Sequence, residues 1–475
     1  MKSALGPLLC ACLLAGASGP VAGASPFDDP FGAAHQTTPN PAQAWGGAPG
    51  GPCPVSLPAE RSWHLAEVVD LALCHNPQTR EAWANARVRA AQLGEAQAGY
   101  LPSATLSATL ARTQTSSSGG FQIPPQTQFR PLLSLNYLLF DFGSRDATVE
   151  AARQSLIAAN WTQNATLQNV LFSTVQAYYQ LFATQAAVDA ARESERASLE
   201  SLNAATFRHQ VGAATLADKL QAQTAYSQAR LNRQKAEGDA RVAQGVLANL
   251  LGLDADRPLR VVPPVWQAPG AGPDDNVRRL IEAAKRARPD LAAAEAQVRA
   301  AEANIQAARS NGKPSISLFA NYGYNYSSVL NDTRNWSTGL TLNFPLFTGF
   351  ATTYRVRTAR AQLDAQAAGR DRLADQVALD VWRAYQNLNT SRDTWASTED
   401  LLASAIQSEQ LALGRYKAGA GNILELLNAQ ASLANARLQR VQAQYNWQIA
   451  RAALSQAVGQ LDRDSAVPPQ AAATP

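Results

Sequence analysis

One pattern occurs twice in the chain and limits what it can fold into. Arg208 to Gln223 reads RHQVGAATLADKLQAQ and Arg415 to Gln430 reads RYKAGAGNILELLNAQ, 207 residues later. Both fit R-x-x-x-G-A-x-x-(L/I)-x-(D/E)-x-L-x-A-Q. In each copy a glycine breaks a polar, alanine-rich helical pattern, a carboxylate follows six residues on, and an Ala-Gln pair lies in the helix beyond. Each copy is therefore expected to be the turn at the tip of a long helical hairpin, and the paired tips to form a gate.

The repeat extends over most of the chain. Asn76-Pro77 recurs as Arg288-Pro289, and Leu101-Pro102 as Lys313-Pro314, both 212 residues later. Beyond these the spacing is 207: Asn136 matches Asn343, Phe140 matches Phe347, Ala177-Tyr178 matches Ala384-Tyr385, and Gly252 matches Gly459. The five missing residues fall in the second strand–strand loop, where deletions are tolerated.

Within the unit the hydrophobic period changes. Trp63 to Gly99 is helical, interrupted at Asn76-Pro77. Ser103 to Thr113 alternates Ala104, Leu106, Ala108 and Leu110 against Ser103, Thr105, Ser107 and Thr109, the mark of a strand with one apolar and one polar face. A Ser/Gly/Pro loop is expected over Thr115 to Gln128, then a strand over Pro131 to Phe140. The second unit has strands expected over Ser315 to Tyr326 and Trp336 to Phe344. Ser144 to Val211 contains neither Gly nor Pro, and as one helix its 68 residues would span about 100 Å. Much of the apolar content is alanine, which forms helices well and buries little, so long thin packing is expected.

The boundaries follow. Lys2, the apolar run Ala4 to Ala17, and Ala22-Gly23-Ala24 before Ser25 read as a signal peptide over 1–24. A Pro/Gly-rich arm, partly disordered, occupies 25–60; repeat 1 runs over 61–253, a linker over 254–275, repeat 2 over 276–460, and a disordered tail over 461–475. Cys10 stands where lipidation of Cys12 would need a small residue, so no lipid anchor is expected. Cleavage leaves Cys53 and Cys74; an even count in an exported chain favours a disulfide, the alternative being two buried thiols.

Strands of this length suit a bilayer, and Trp336, Tyr326, Phe140 and Phe344 stand toward their ends as an interfacial girdle would. A soluble sandwich face is the competing reading. Four strands cannot close a barrel, and open edges in lipid leave backbone groups unpaired. Several protomers must therefore share one barrel. The expected fold class is an α+β membrane channel: a tandem repeat, four transmembrane strands per protomer in a barrel shared between protomers, and a long helical barrel on one side of the membrane. The formal charge of +4 is spread along the chain and gives no reason to expect nucleic acid. His35, His64, His75 and His209 have no metal-ligand spacing, and no P-loop, G-x-G-x-x-G or G-x-S-x-G is present. Neither an enzyme, a cofactor nor a metal is expected.

The chain resembles the TolC family of outer-membrane efflux and secretion channels from Trp63 to Gly459. The resemblance rests on the tandem repeat, the Arg415 to Gln430 tip, the junction Leu139-Phe140-Asp141-Phe142-Gly143 and its partner Leu346-Phe347-Thr348-Gly349. Within the family it is most similar to type I secretion members. The resemblance implies a homotrimer whose shared barrel is trimeric and whose helical barrel is periplasmic, outer-membrane lipid around the barrel, a periplasmic adaptor protein, an inner-membrane ABC transporter and a secreted protein cargo. The alternative is a multidrug efflux channel, and a periplasmic coiled coil without a pore is a further one. The resemblance also implies a gate in which Tyr416, beside Arg415, bonds Asp218 and so pins the inner hairpin to the outer. It implies a constriction with Glu425 as an acidic ring and Asn428 where a second acid is usual. Gly212, Ala213, Gly419 and Ala420 fall where the adaptor meets the tips. Gly421 and Leu413 replace a latch arginine and an acid, and His209, Lys219 and Lys417 are nearby candidates to substitute.

Overall fold

The computed structural model describes residues 29–47, 53, 62–116, 122–264 and 276–462. The expected signal peptide and the last thirteen residues of the expected tail lie outside these. The first unit is β1 (Ser62–Trp63), α1 (Leu65–His75), α2 (Pro77–Ala98), β2 (Ser103–Ser116), β3 (Gln122–Phe140), α3 (Ser144–Gln210) and α4 (Leu216–Leu250). The second is β4 (Arg260–Val261), α5 (Val277–Ala287), α6 (Pro289–Ser310), β5 (Ser315–Ser327), β6 (Thr333–Asn343), α7 (Ala351–Lys417) and α8 (Ile423–Val458). Equivalent helices match in length: 11 and 11, 22 and 22, 67 and 67, 35 and 36 residues.

The antiparallel sheet has the order β2-β3-β5-β6. Its register carries the two faces across all four strands. Leu106, Leu133, Tyr322 and Trp336 align in one row, and Thr105, Ser134, Asn321 and Ser337 in the next. Leu106 is 74% exposed and Trp336 77%, as suits a face that meets lipid rather than water. Among the described residues no helix is long and apolar enough to cross a membrane. On the polar face Phe319 covers Gly339, where an added Cβ would lie 2.9 Å from its ring. The sequence pattern had left Phe319 without a role.

The strands exceed their expected lengths. β2 runs on to Ser116, and β3 begins at Gln122, inside the stretch expected as loop. Pro124 and Pro125 suggested a loop, but they fall where the pairing shifts from Thr113↔Gln126 to Thr115↔Ile123. A bulge tolerates proline because no ladder donor is needed there.

The strand-to-helix junctions differ between units. Phe142 and Gly143 both have positive φ before α3, and Gly349 and Phe350 do before α7. In the first, Asp141 Oδ1 accepts from the Gly143 amide at 3.2 Å, and Oδ2 from the Arg145 amide at 2.9 Å and Arg145 Nε at 3.2 Å. Arg145 then donates to the Gly99 and Leu139 carbonyls, tying α2, β3 and α3 together. In the second, Thr348 offers a hydroxyl only to Thr352.

The main core lies midway along the helices, where Val68, Val69 and Leu71 of α1 pack on Val170, Val175, Tyr178 and Leu181 of α3 and Leu247 of α4. The expected linker is partly folded into it: β4 pairs in parallel with β1, and the Tyr178 hydroxyl donates to the Val262 carbonyl at 2.6 Å. Burial, with the neighbouring Tyr179 and Tyr445, pushes the Tyr178 phenol far above its ordinary pKa. Leu461, expected in the tail, is also buried there.

Residues 29–47 of the N-terminal arm lie on α2, where the Trp83 indole donates to the Thr38 carbonyl at 2.8 Å, and are held to α3 by side-chain amides. Asn160 donates to the Gln36 carbonyl, Gln163 to Thr38 and the Gln43 carbonyl, and Asn164 brackets the Trp45 backbone at 2.8 and 3.0 Å. Cys53 and Cys74 form the expected disulfide, which fastens the arm to α1.

Asp141 holds the first junction with a half-buried ion pair and a helix cap, so Asp141→Ala should destabilise the solubilised protein by about 1–3 kcal/mol. Thr348→Ala should cost clearly less. Thermal unfolding followed by circular dichroism checks this, and equal losses would show that the junctions carry equal load.

Candidate functional site

The repeated motif forms two helix-ending turns of one design. Gly212 (φ 79°) and Gly419 (φ 75°) occupy the left-handed position that ends α3 and α7. The Gly212 amide donates to the His209 carbonyl and that of Ala213 to Arg208; the Gly419 amide donates to Tyr416 and that of Ala420 to Arg415. These are Schellman turns with the same bonds at the same motif positions. Gly212, Ala213, Gly419 and Ala420 are all exposed at the ends of the hairpins.

The expected Tyr416–Asp218 hydrogen bond is not formed. Asp218 Oδ2 accepts from the Thr215 amide at 2.9 Å and its hydroxyl at 2.8 Å, while Thr215 Oγ1 accepts from the Asp218 amide at 3.2 Å. This reciprocal capping box consumes the carboxylate at the start of α4. The spacing Thr215-x-x-Asp218 was the signal for it. Tyr416 is 6% exposed, and among the described residues its hydroxyl has no hydrogen-bond partner.

The residue that joins the hairpins is Arg208, which the motif contained and the gate reading passed over. It leaves α3, places its guanidinium 4.7 Å from the centre of the Tyr416 ring and donates to the Tyr416 carbonyl at 3.0 Å. It thus combines a cation–π contact with a second hydrogen bond to the carbonyl that also accepts from the Gly419 amide. A second link lies behind it, where Ser201 of α3 and Gln430 of α8 bond to one another. Between them, Ala205, Ala222, Ala412, Tyr416, Ile423 and Leu426 form a small tip core.

Arg415, the motif equivalent of Arg208, stays on its own hairpin. Its NH1 lies 2.9 Å from Glu425 Oε1. Glu425 is therefore not the lone carboxylate expected of an acidic ring. Its amide is capped by Asn422 Oδ1 at 2.7 Å, and Asn428 is exposed on the same helix. Both groups of the Arg415–Glu425 pair are solvated, so it contributes little stability but cancels the local charge. Gly421 fits its turn closely: an added Cβ would stand 3.1 Å from Arg415 Cβ and 3.2 Å from the Tyr416 nitrogen. A side chain at that position would require the turn that supports Tyr416 to give by a few tenths of an ångström. His209 Nδ1 contacts the Ala214 carbonyl of its own turn, and among the described residues neither Lys219 nor Lys417 forms an ion pair. None of the three replaces the missing latch within the chain.

Asp218→Ala should weaken only the outer hairpin, by about 1 kcal/mol through loss of the cap. Hydrogen exchange should quicken over 215–222 and stay unchanged over 416–421. Faster exchange in both stretches would mean that Asp218 supports the inner tip after all.

The family model described as outer membrane efflux protein matches residues 68–253 and 280–460. Protein CyaE of Bordetella pertussis is 33% identical over 431 residues, covering 90% of this chain and 89% of that protein. Outer membrane efflux protein BepC of Brucella suis is 26% identical, covering 82% and 84%. Among solved structures, a membrane protein from Pseudomonas aeruginosa is similar at a TM-score of 0.75 and 26% identity, covering 83% of this chain and 93% of that one. The chain belongs to the outer membrane efflux protein family, the TolC family of channels, with its sheet in the outer membrane and its helices extending into the periplasm.

Proposed function

We propose that three copies close one barrel and tube, and that this conduit is the exit channel of a type I, ABC-transporter-driven protein secretion system. The observation that carries the channel reading is the four-stranded sheet: among the described residues β2 and β6 each have one unpaired edge, beside a face of exposed Leu, Tyr and Trp. Lipid does not tolerate such edges, and three copies supply twelve strands. The secretion reading is supported by the likeness to CyaE over nine-tenths of the chain. The likeness to BepC, named an efflux protein, supports multidrug efflux as the second reading. The exposed tips at Gly212-Ala213 and Gly419-Ala420 are the proposed contacts of a periplasmic adaptor. Deleting the gene tests the cargo: secretion of a toxin encoded beside it should stop, and intact secretion with raised drug sensitivity would favour the efflux reading.

In this reading Arg208 holds the inner hairpin against the outer one. Arg208→Ala should raise single-channel conductance in planar bilayers, because the ring contact and the carbonyl bond are lost together. Asp218→Ala should leave conductance unchanged. The reverse pattern would return the gate to the aspartate.

The constriction is proposed to carry paired charge. Arg415→Ala should uncover the Glu425 carboxylates, shift reversal potentials toward cations and introduce block by trivalent cations. Glu425→Gln should shift them toward anions. If Arg415→Ala left selectivity unmoved, Glu425 would not line the narrowest point.

A further inference from the structure

The charges of the sheet are few and mostly of one sign. From Ser103 to Phe140 and from Ser315 to Phe344 they are Arg112, Arg130, Asp332 and Arg334. All lie in the half of the sheet away from the helices, which is the outer-leaflet half. Arg112 shares the parity of Leu106 and Leu110 on β2, and Arg334 that of Trp336 and Leu340 on β6, so both belong to the lipid-facing side. Arg130 shares the parity of Ser134 and belongs to the other face.

In sheet register Arg334 is level with Ala108, four residues from Arg112, and a tilt of about 40° over three strand spacings of about 4.8 Å offsets the strands by about 12 Å, which brings the two arginines to one depth. Each is nine residues from the end of its strand nearest the helices, Ser103 for β2 and Asn343 for β6. At about 3.3 Å per residue and a tilt of about 40° this is roughly 23 Å, the far border of an apolar band about 25 Å tall. Phe129 and Tyr326, eleven residues from the helix-side ends of their strands, and Tyr322 and Trp336, seven residues from theirs, flank this border on the outward face. Tyr324 faces Arg334 in register, with the guanidinium 5.9 Å from its ring, and the Tyr324 hydroxyl donates to Asp332 at 2.5 Å. Both arginines are exposed, and among the described residues neither forms an ion pair.

They lie on the two edge strands of the sheet. Within one protomer two strands separate them. Closure of the barrel, on which this inference rests, makes β2 of one protomer and β6 of the next direct neighbours about 4.8 Å apart. Two guanidinium groups then meet at one depth on one face, three times around the barrel. Like charges so placed repel, and an anion between them reverses the sign. Guanidinium forks match phosphate oxygens, and basic groups at a membrane border recognise lipid headgroups.

We infer that each seam between protomers binds the phosphate of an outer-leaflet glycolipid through Arg112 of one protomer and Arg334 of the next. The acyl chains lie below it on Leu106 and Leu110 from one side and Leu340 and Leu342 from the other. This apolar strip under the charge is what selects a phosphorylated lipid over free phosphate.

Native mass spectrometry of the purified full-length trimer in detergent tests this with bisphosphorylated lipid A, the same lipid with both phosphates removed, and inorganic phosphate as competitor. Wild type should retain bisphosphorylated lipid A on the order of tenfold better than Arg112→Gln/Arg334→Gln does, with each single variant between them. The dephosphorylated lipid should bind wild type and variant alike, and inorganic phosphate should compete weakly. Equal retention by wild type and double variant, or of both lipids by wild type, would overturn the site, and full displacement by inorganic phosphate would reduce it to a free-anion site. Should the double variant fail to assemble, added salt must release the phosphorylated lipid from wild type, and salt-independent retention overturns the site equally. A wild-type chain that appears only as monomer in the same spectrum overturns barrel closure itself, and the seam site with it.

Discussion

The backbone amides and carbonyls along β2 and β6 govern everything else in this molecule. Among the described residues each strand is paired on one side only, and the outward face of the sheet is rich in leucine, tyrosine and tryptophan, which commits it to lipid. Hydrocarbon offers no hydrogen bonds, so each edge needs another strand. The remaining features follow from meeting that need with a short chain. The sheet is built from two hairpins, each hairpin runs directly into a 67-residue helix, and the helices inherit the circular arrangement that the strands impose.

Tandem duplication meets this demand with one unit used twice, and the copies have since diverged in how each structural task is performed. The strand-to-helix turn is held by Asp141 and Arg145 in the first copy and by a threonine hydroxyl in the second. The motif arginine reaches across to the other hairpin in the first copy and neutralises a carboxylate on its own hairpin in the second. The carboxylate of the first helical turn beyond the tip closes on Thr215 in the first and turns to Arg415 in the second. Backbone geometry is shared where the turn itself demands it, and the side chains have separated where the two hairpins occupy different places in the tube.

Much of this was legible in the sequence, and the parts that were not have physical reasons. Element order, helix lengths and the two faces of the sheet follow from period and from the positions of Gly and Pro, because backbone hydrogen bonding leaves few alternatives. The extent of β3 was hidden because Pro124 and Pro125 look like a loop when their partner strand is unknown. The docked arm was hidden because Asn160, Gln163 and Asn164 are indistinguishable from solvated residues until the segment that they bind is in place. At the tips, the turns were legible and the bonds were not. A carboxylate three residues after a threonine has a local partner as well as a distant one, and here the local one holds it.

The matched lengths of the long helices restrict how such a chain can change. Adding one residue to α3 alone would advance its tip by 1.5 Å and rotate it by about 100°. Arg208 would then point away from Tyr416, although every contact nearer the membrane were kept. Length changes that preserve the rim must therefore come in near-integral numbers of turns and occur in both halves together. The 67-residue helices of the two units are a coupled pair of rulers, and the depth of the tunnel is set by the requirement that they agree.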